Sequence, residues 1–118
     1  MNKHRVLSFK YAIEGISTAL KEEPNLKFHF LAAFLALILG WFLQITKFEF
    51  IIILLLTGLV ISIELTNTAI ETIVDNFTTD HHPGAKKAKD IAAGSVLVVS
   101  IVAGVIGSLI FLPYIFEF

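Results

Sequence analysis

Cysteine is absent from this chain, proline occurs only three times, and neither sign of charge is in excess. Without cysteine there are no disulfides, no thiolate metal sites and no cysteine nucleophile. A net charge of −1 supplies no basic field for a nucleic-acid partner. Polar surface is scarce as well: charged residues make up 16% of the 118 positions, hydrophobic residues 56%. That length allows one domain, and a soluble domain so small buries only about two-thirds of the surface its unfolded chain exposes. Much of the apolar surface must therefore face lipid. Lys3, His4 and Arg5 precede any long apolar run, which first begins at Phe28, so no cleavable signal peptide is expected.

What the chain does have is charge-free runs. No Asp, Glu, Lys or Arg lies between Lys27 and Lys47, and roughly 20 apolar residues suffice to cross a bilayer. A second run follows Glu49, reaches Ile63 and continues in helical character through Glu64 to Asp75; a third extends from Ile91 to Phe116, closed by Pro113 and Glu117. The sequence thus predicts spans over 28–46, 48–75 and 91–116, with a loop over 76–90, within a single domain covering 1–118. The link near Gln44 to Phe48 is so short that the first two spans form an antiparallel hairpin. Lys3, Arg5, Lys10, Lys21 and Lys27 precede the first span, and Lys86, Lys87 and Lys89 precede the third, whereas the opposite side carries only Lys47. The positive-inside rule then places the N-terminus and the 76–90 loop in the cytoplasm and the C-terminus outside.

The segment 1–24 is of another kind. Val6, Phe9, Ile13, Ile16 and Leu20 recur at three- and four-residue steps and so share one side of a helix, flanked by Lys3, Lys10, Glu14 and Lys21. Such a helix either lies in the membrane interface with its apolar stripe in the acyl boundary or packs on the bundle. Pro24 ends it and pushes Glu23 out of helical geometry.

The most informative stretch is ELTNTAIETIVD, residues 64–75. At about 100° per residue, Glu64, Asn67, Glu71 and Asp75 fall within roughly 80° of arc. Three carboxylates on one face repel one another, and the innermost lies where charge costs about 3 kcal/mol or more. Folding alone does not ask for this; a divalent cation with oxygen ligands is the natural compensation. With the span starting near Phe48, a hydrocarbon core of roughly 30 Å ends near Thr68. Glu64 is therefore expected just inside the boundary, with Glu71 and Asp75 in water. One face reaches from the level of a lipid headgroup to that of a soluble nucleotide, which suits a base acting on a lipid hydroxyl and carboxylates holding magnesium on phosphates. Lys86, Lys87, Lys89 and Asp90 open the third span. A lysine there can meet phosphate oxygens, and Asp90 sits at the positive end of a helix; read blandly, Lys86 marks the membrane boundary.

ELTNTAIETIVD followed by AKKAKDIAAGSVL resembles the bacterial membrane-embedded diacylglycerol kinase and undecaprenol kinase family. The resemblance covers nearly the whole chain, including KEEPNLKFH, and both family and chain lack a glycine-rich phosphate loop. It implies an all-α membrane protein, with an amphipathic surface helix and three spans in a homotrimer, that phosphorylates a lipid alcohol with ATP and Mg2+ in the bacterial cell membrane. By the same resemblance Glu64 is the catalytic base, Glu71 and Glu23 are magnesium ligands, and Tyr11, Asp80, His81, His82, Lys89 and Asp90 are nucleotide-binding positions. Asn67 and Asp75 orient the site, and Glu14 lies beside it. His4 stands where the diacylglycerol-kinase branch carries an arginine, with Arg5 available as a substitute. EPNLKFH and HHPGAKKAKD lean towards undecaprenol as substrate, with diacylglycerol as the alternative.

His29, at the opening of the first span, reads as an interfacial or packing residue. His81 and His82 are adjacent, so they do not share a helical face, and without a third nitrogen ligand they do not predict zinc. Phe111, Tyr114, Phe116 and Trp41 read as an outer aromatic belt. Two functions of other classes compete. A small transporter would explain an intramembrane carboxylate, but Ile51 to Ile61 continue almost wholly apolar. An assembly subunit would explain the Ala103/Gly107 spacing but leaves the acidic row without a purpose.

Overall fold

Residues 3–78 and 82–117 are described by a computed structural model as four helices: α1 Lys3–Glu22, α2 Pro24–Leu43, α3 Lys47–Phe77 and α4 Pro83–Phe116. The last three are long and apolar enough to cross a membrane, and no strand occurs among the described residues. At 1.5 Å per residue, the 31 residues of α3 extend about 46 Å, well beyond a hydrocarbon core of roughly 30 Å. One end of this helix must therefore project from the bilayer.

Local chemistry sets each boundary. Glu23 is extended, with φ −115° and ψ 106°, because the Pro24 ring disfavours helical geometry in the residue before it; Pro24 itself starts α2, where its missing N–H costs nothing. Gln44 closes α2 in the left-handed region at φ 55°. Thr46 and Glu49 then form a reciprocal capping box, the Glu49 N–H donating to Thr46 Oγ1 at 3.1 Å and the Thr46 N–H to Glu49 Oε1 at 3.0 Å. The turn between α2 and α3 is thus confined to residues 44–46. At this same end the Tyr114 hydroxyl donates to Glu49, fastening the end of α4 to the start of α3.

One expected boundary differs. The segment 76–90 is largely helical, since α4 begins at Pro83, with the His82 ring accepting at Nδ1 from the N–H groups of Gly84 and Ala85 at 3.1 and 3.3 Å. At its other end the third span finishes at Phe116 as expected, the helix running through Pro113 and closing at Glu117, φ 57°. A proline in the final turn disturbs only the last carbonyls, so one more turn survives.

Packing joins α3 to α2 and to α4, while α1 contacts α2 and α3. The inward residues of α3 are Ile53, Leu56, Val60, Glu64, Asn67 and Thr68, a single stripe at three- and four-residue spacing. Leu26, two residues past Pro24, is fully buried and anchors the start of α2. On α1 only Ala19 is buried; Val6, Phe9, Ile13 and Ile16 remain exposed. Among the described residues, then, most of the apolar stripe of α1 is left uncovered while its last turn, at Ala19 and Leu20, packs on the bundle, an arrangement compatible with a helix lying against lipid.

Candidate functional site

The stripe on α3 changes character at Glu64, whose side chain is only 5% exposed. A lone carboxylate held away from water is expensive, and α2 supplies a partner: His29 Nε2 lies 3.7 Å from Glu64 Oε2. One turn further on, the Asn67 amide donates to Glu71 Oε1 at 3.3 Å. Asn67 Oδ1 is buried with no hydrogen-bond partner among the described residues. Glu23 and Glu71 both act electrostatically on Glu64, so the bend between α1 and α2 brings a further carboxylate to this end of α3. The Glu23 side chain makes no cap hydrogen bond, which leaves its oxygens available.

Beyond the apolar span, Lys89 Nζ of α4 donates to Asp75 Oδ1 of α3 at 2.8 Å. The hydrogen bond and then the charge of Asp75 hold the Lys89 ammonium above the ordinary lysine range. Lys86 Nζ donates to Asp90 Oδ2 at 2.6 Å, four residues along the same helix. Both pairs are largely exposed, so solvent screens them and bound phosphates could exchange partners with them at modest cost. His82 spends Nδ1 on its cap and is exposed.

Of the residues expected at the site, Glu23, Glu64, Asn67, Glu71, Asp75, Lys89 and Asp90 gather at the charged end of α2, α3 and α4. Tyr11 and Glu14 do not join them: both are exposed on α1, and among the described residues neither hydrogen bonds or pairs with the acidic row. Asp80 and His81 lie outside the described residues. His29 is the member that sequence reasoning passed over. The available signal was its place in the first turns of a span, six residues after Glu23 and at the depth expected for Glu64.

From His29 an apolar groove descends between α2, α3 and α4, lined by Ala32, Ala36, Val60, Ala103, Gly104 and Gly107 among others. Small side chains on two of the three helices keep it open. Groove and charged row meet at the His29–Glu64 pair.

Three helices long enough to cross a membrane, with a buried carboxylate near one end of the bundle and charged groups continuing past it, define a helical membrane protein with a polar site at that end. The chain belongs to the prokaryotic diacylglycerol kinase family, whose pattern it matches over residues 10–111. It is 48% identical over 106 residues to the undecaprenol kinase of Bacillus subtilis, covering 90% of this chain and 86% of that one. It is 33% identical over 109 residues to the diacylglycerol kinase of Haemophilus influenzae, covering 92% of each. With the diacylglycerol kinase of Escherichia coli K12 it shares 28% over 93 residues, 79% of this chain and 76% of the other. The protein is a membrane-bound kinase of a lipid-kinase family.

Proposed function

We propose that the protein transfers the γ-phosphoryl group of ATP to the hydroxyl of a membrane lipid alcohol, with undecaprenol the substrate and diacylglycerol the alternative. The observation that carries this reading is Glu64, buried on the inward face of α3 beside His29 and followed along the same helix face by Glu71 and Asp75. Counting residues from the start of the span supports a depth near the bilayer boundary for it. The preference for undecaprenol rests on the higher identity to the Bacillus subtilis enzyme and on the EPNLKFH segment. The lysine distribution supports a cytoplasmic N-terminus and 76–90 segment, which exposes the charged end to cellular ATP.

The donor set suits magnesium. This cation keeps several waters and is held by one or two carboxylates plus substrate phosphates rather than by a cage of protein ligands. Glu71 and Glu23 provide the two carboxylates, and the unpartnered Asn67 Oδ1 offers an acceptor for a metal-bound water. When bound, the metal would neutralise charge on the phosphates.

The chain's own residues do the rest. The lipid hydroxyl arrives laterally from the bilayer and gives its proton to Glu64. Its oxygen forms the new bond to the γ-phosphorus as the bond to ADP breaks, and ADP leaves with that electron pair. Asn67 fixes the Glu71 carboxylate, Asp75 holds Lys89 in position, and Lys89, Asp90 and His82 bind the nucleotide, together with Asp80 and His81. Tyr11 and Glu14 are exposed and make no hydrogen bond to the acidic row of their own chain among the described residues, which together with the family resemblance supports a homotrimer in which α1 of one protomer completes the site of its neighbour.

The test is phosphorylation by the purified protein in lipid, with Mg·ATP and with undecaprenol and diacylglycerol offered side by side. Faster conversion of undecaprenol is expected. Faster conversion of diacylglycerol would transfer the assignment to the alternative, and phosphorylation of neither by folded protein would remove the lipid-kinase reading of this site.

A further inference from the structure

Glu64 is nearly sealed, yet it must receive a proton from a substrate that lives in the bilayer. It does not line the apolar groove; His29 does, at the groove's charged end, and among the described residues His29 is the groove's one titratable lining group. Its side chain is 17% exposed against 5% for Glu64. A hydroxyl rising along the groove therefore meets the imidazole before it meets the carboxylate.

The imidazole is placed to orient that carboxylate. His29 lies on α2 and Glu64 on α3, so their 3.7 Å approach bridges two helices rather than following from local sequence. Nε2 faces Oε2, so Oε1 is the oxygen that the imidazole does not engage. The separation is longer than a hydrogen bond, and such contacts commonly tighten once a substrate is bound. The Phe28 ring and the imidazole meet in a T-shaped contact, with 5.9 Å between centroids.

We propose that His29 is a positioning residue for phosphoryl transfer: its Nε2–H holds one oxygen of Glu64 at the mouth of the lipid groove and presents the other to the substrate hydroxyl. This rests on the reading of Glu64 as the base. His29 itself gains no covalent bond; the proton moves from the lipid oxygen to Glu64 Oε1.

The test compares replacements that differ in reach. His29→Gln keeps a donor near the position of Nε2, whereas His29→Leu removes it and His29→Asn withdraws it by one methylene. In the intact protein reconstituted in lipid, Leu and Asn are expected to lower kcat by about tenfold to a hundredfold, as the loss of a group that orients a functional side chain does. KM for ATP is expected to stay within about twofold and Gln to recover most of the rate. Comparison of Gln with Asn also serves if the Leu variant does not fold. Wild-type kcat in the Leu variant, a rise in KM for ATP without a fall in kcat, or equal rates for Gln and Asn would each overturn the proposal. Glu64→Gln, measured alongside, separates the two readings: if it is inactive while His29→Leu is fully active, only the role of His29 fails, whereas an active Glu64→Gln removes the base beneath it.

Discussion

The two halves of α3 present the same inward face with opposite contents. Towards Thr46 the stripe reads Ile53, Leu56, Val60 and forms one wall of the apolar groove between α2, α3 and α4; towards Phe77 it reads Glu64 and Asn67, continuing to Glu71 and Asp75 at the charged end. The spacing does not change at Val60, and neither does the helix. Periodicity therefore decides which residues turn inward, whereas residue type and depth decide whether that inward face packs or performs chemistry. The apolar half needs only complementary shape from α2 and α4. The polar half needs partners one by one: His29 for Glu64, Asn67 for Glu71 and Lys89 for Asp75.

Moving a charge across that divide is the most damaging change. Leu56→Glu places a carboxylate deep in the span at a cost of about 3 kcal/mol or more, and should sharply reduce the yield of folded protein extracted from membranes. A normal yield would mean that the outer half is not a dry, apolar face. Glu71→Gln leaves the fold intact and should shift the magnesium titration of activity by about tenfold or more; an unchanged midpoint contradicts its role as a ligand. Lys89→Ala should raise KM for ATP by about tenfold, the scale of one hydrogen bond to a charged group, with kcat less affected. Equal nucleotide affinity would reduce Lys89 to a structural tie. At the far end, Tyr114→Phe removes a contact remote from the charged half. Its lipid-kinase rate should match wild type while thermal melting in detergent falls slightly, and a loss of rate would show that the two ends are coupled.

Much of this was legible in the chain because it is local. Charge-free runs located the three spans, the shortness of the Gln44–Phe48 link fixed the hairpin, and Pro24 predicted the extended Glu23. The clustering of Glu64, Asn67, Glu71 and Asp75 follows from helical geometry alone. What sequence reasoning passed over involves either a second element or a cap. His29 looked like an interfacial residue because its partner lies on another helix, and spacing within one helix carries no information about that. The helical start of the third span depends on His82 accepting two N–H groups at Nδ1 ahead of Pro83, a cap that was masked by reading 76–90 as a loop of basic and turn residues. The exposure of Tyr11 and Glu14 likewise concerns how α1 sits on the bundle, which the amphipathic pattern left open between membrane and bundle.

The central claim is that the charged half of α3 is where a lipid hydroxyl is deprotonated beside a bound nucleotide, and Glu64→Gln tests it most directly. In lipid nanodiscs, turnover with undecaprenol and binding of Mg·ATP would be measured on the same preparation. A general base contributes about 10²–10⁴-fold, so turnover should fall by that order while nucleotide affinity stays close to wild type. Turnover equal to wild type would contradict the claim, as would a loss explained entirely by failure to bind the nucleotide.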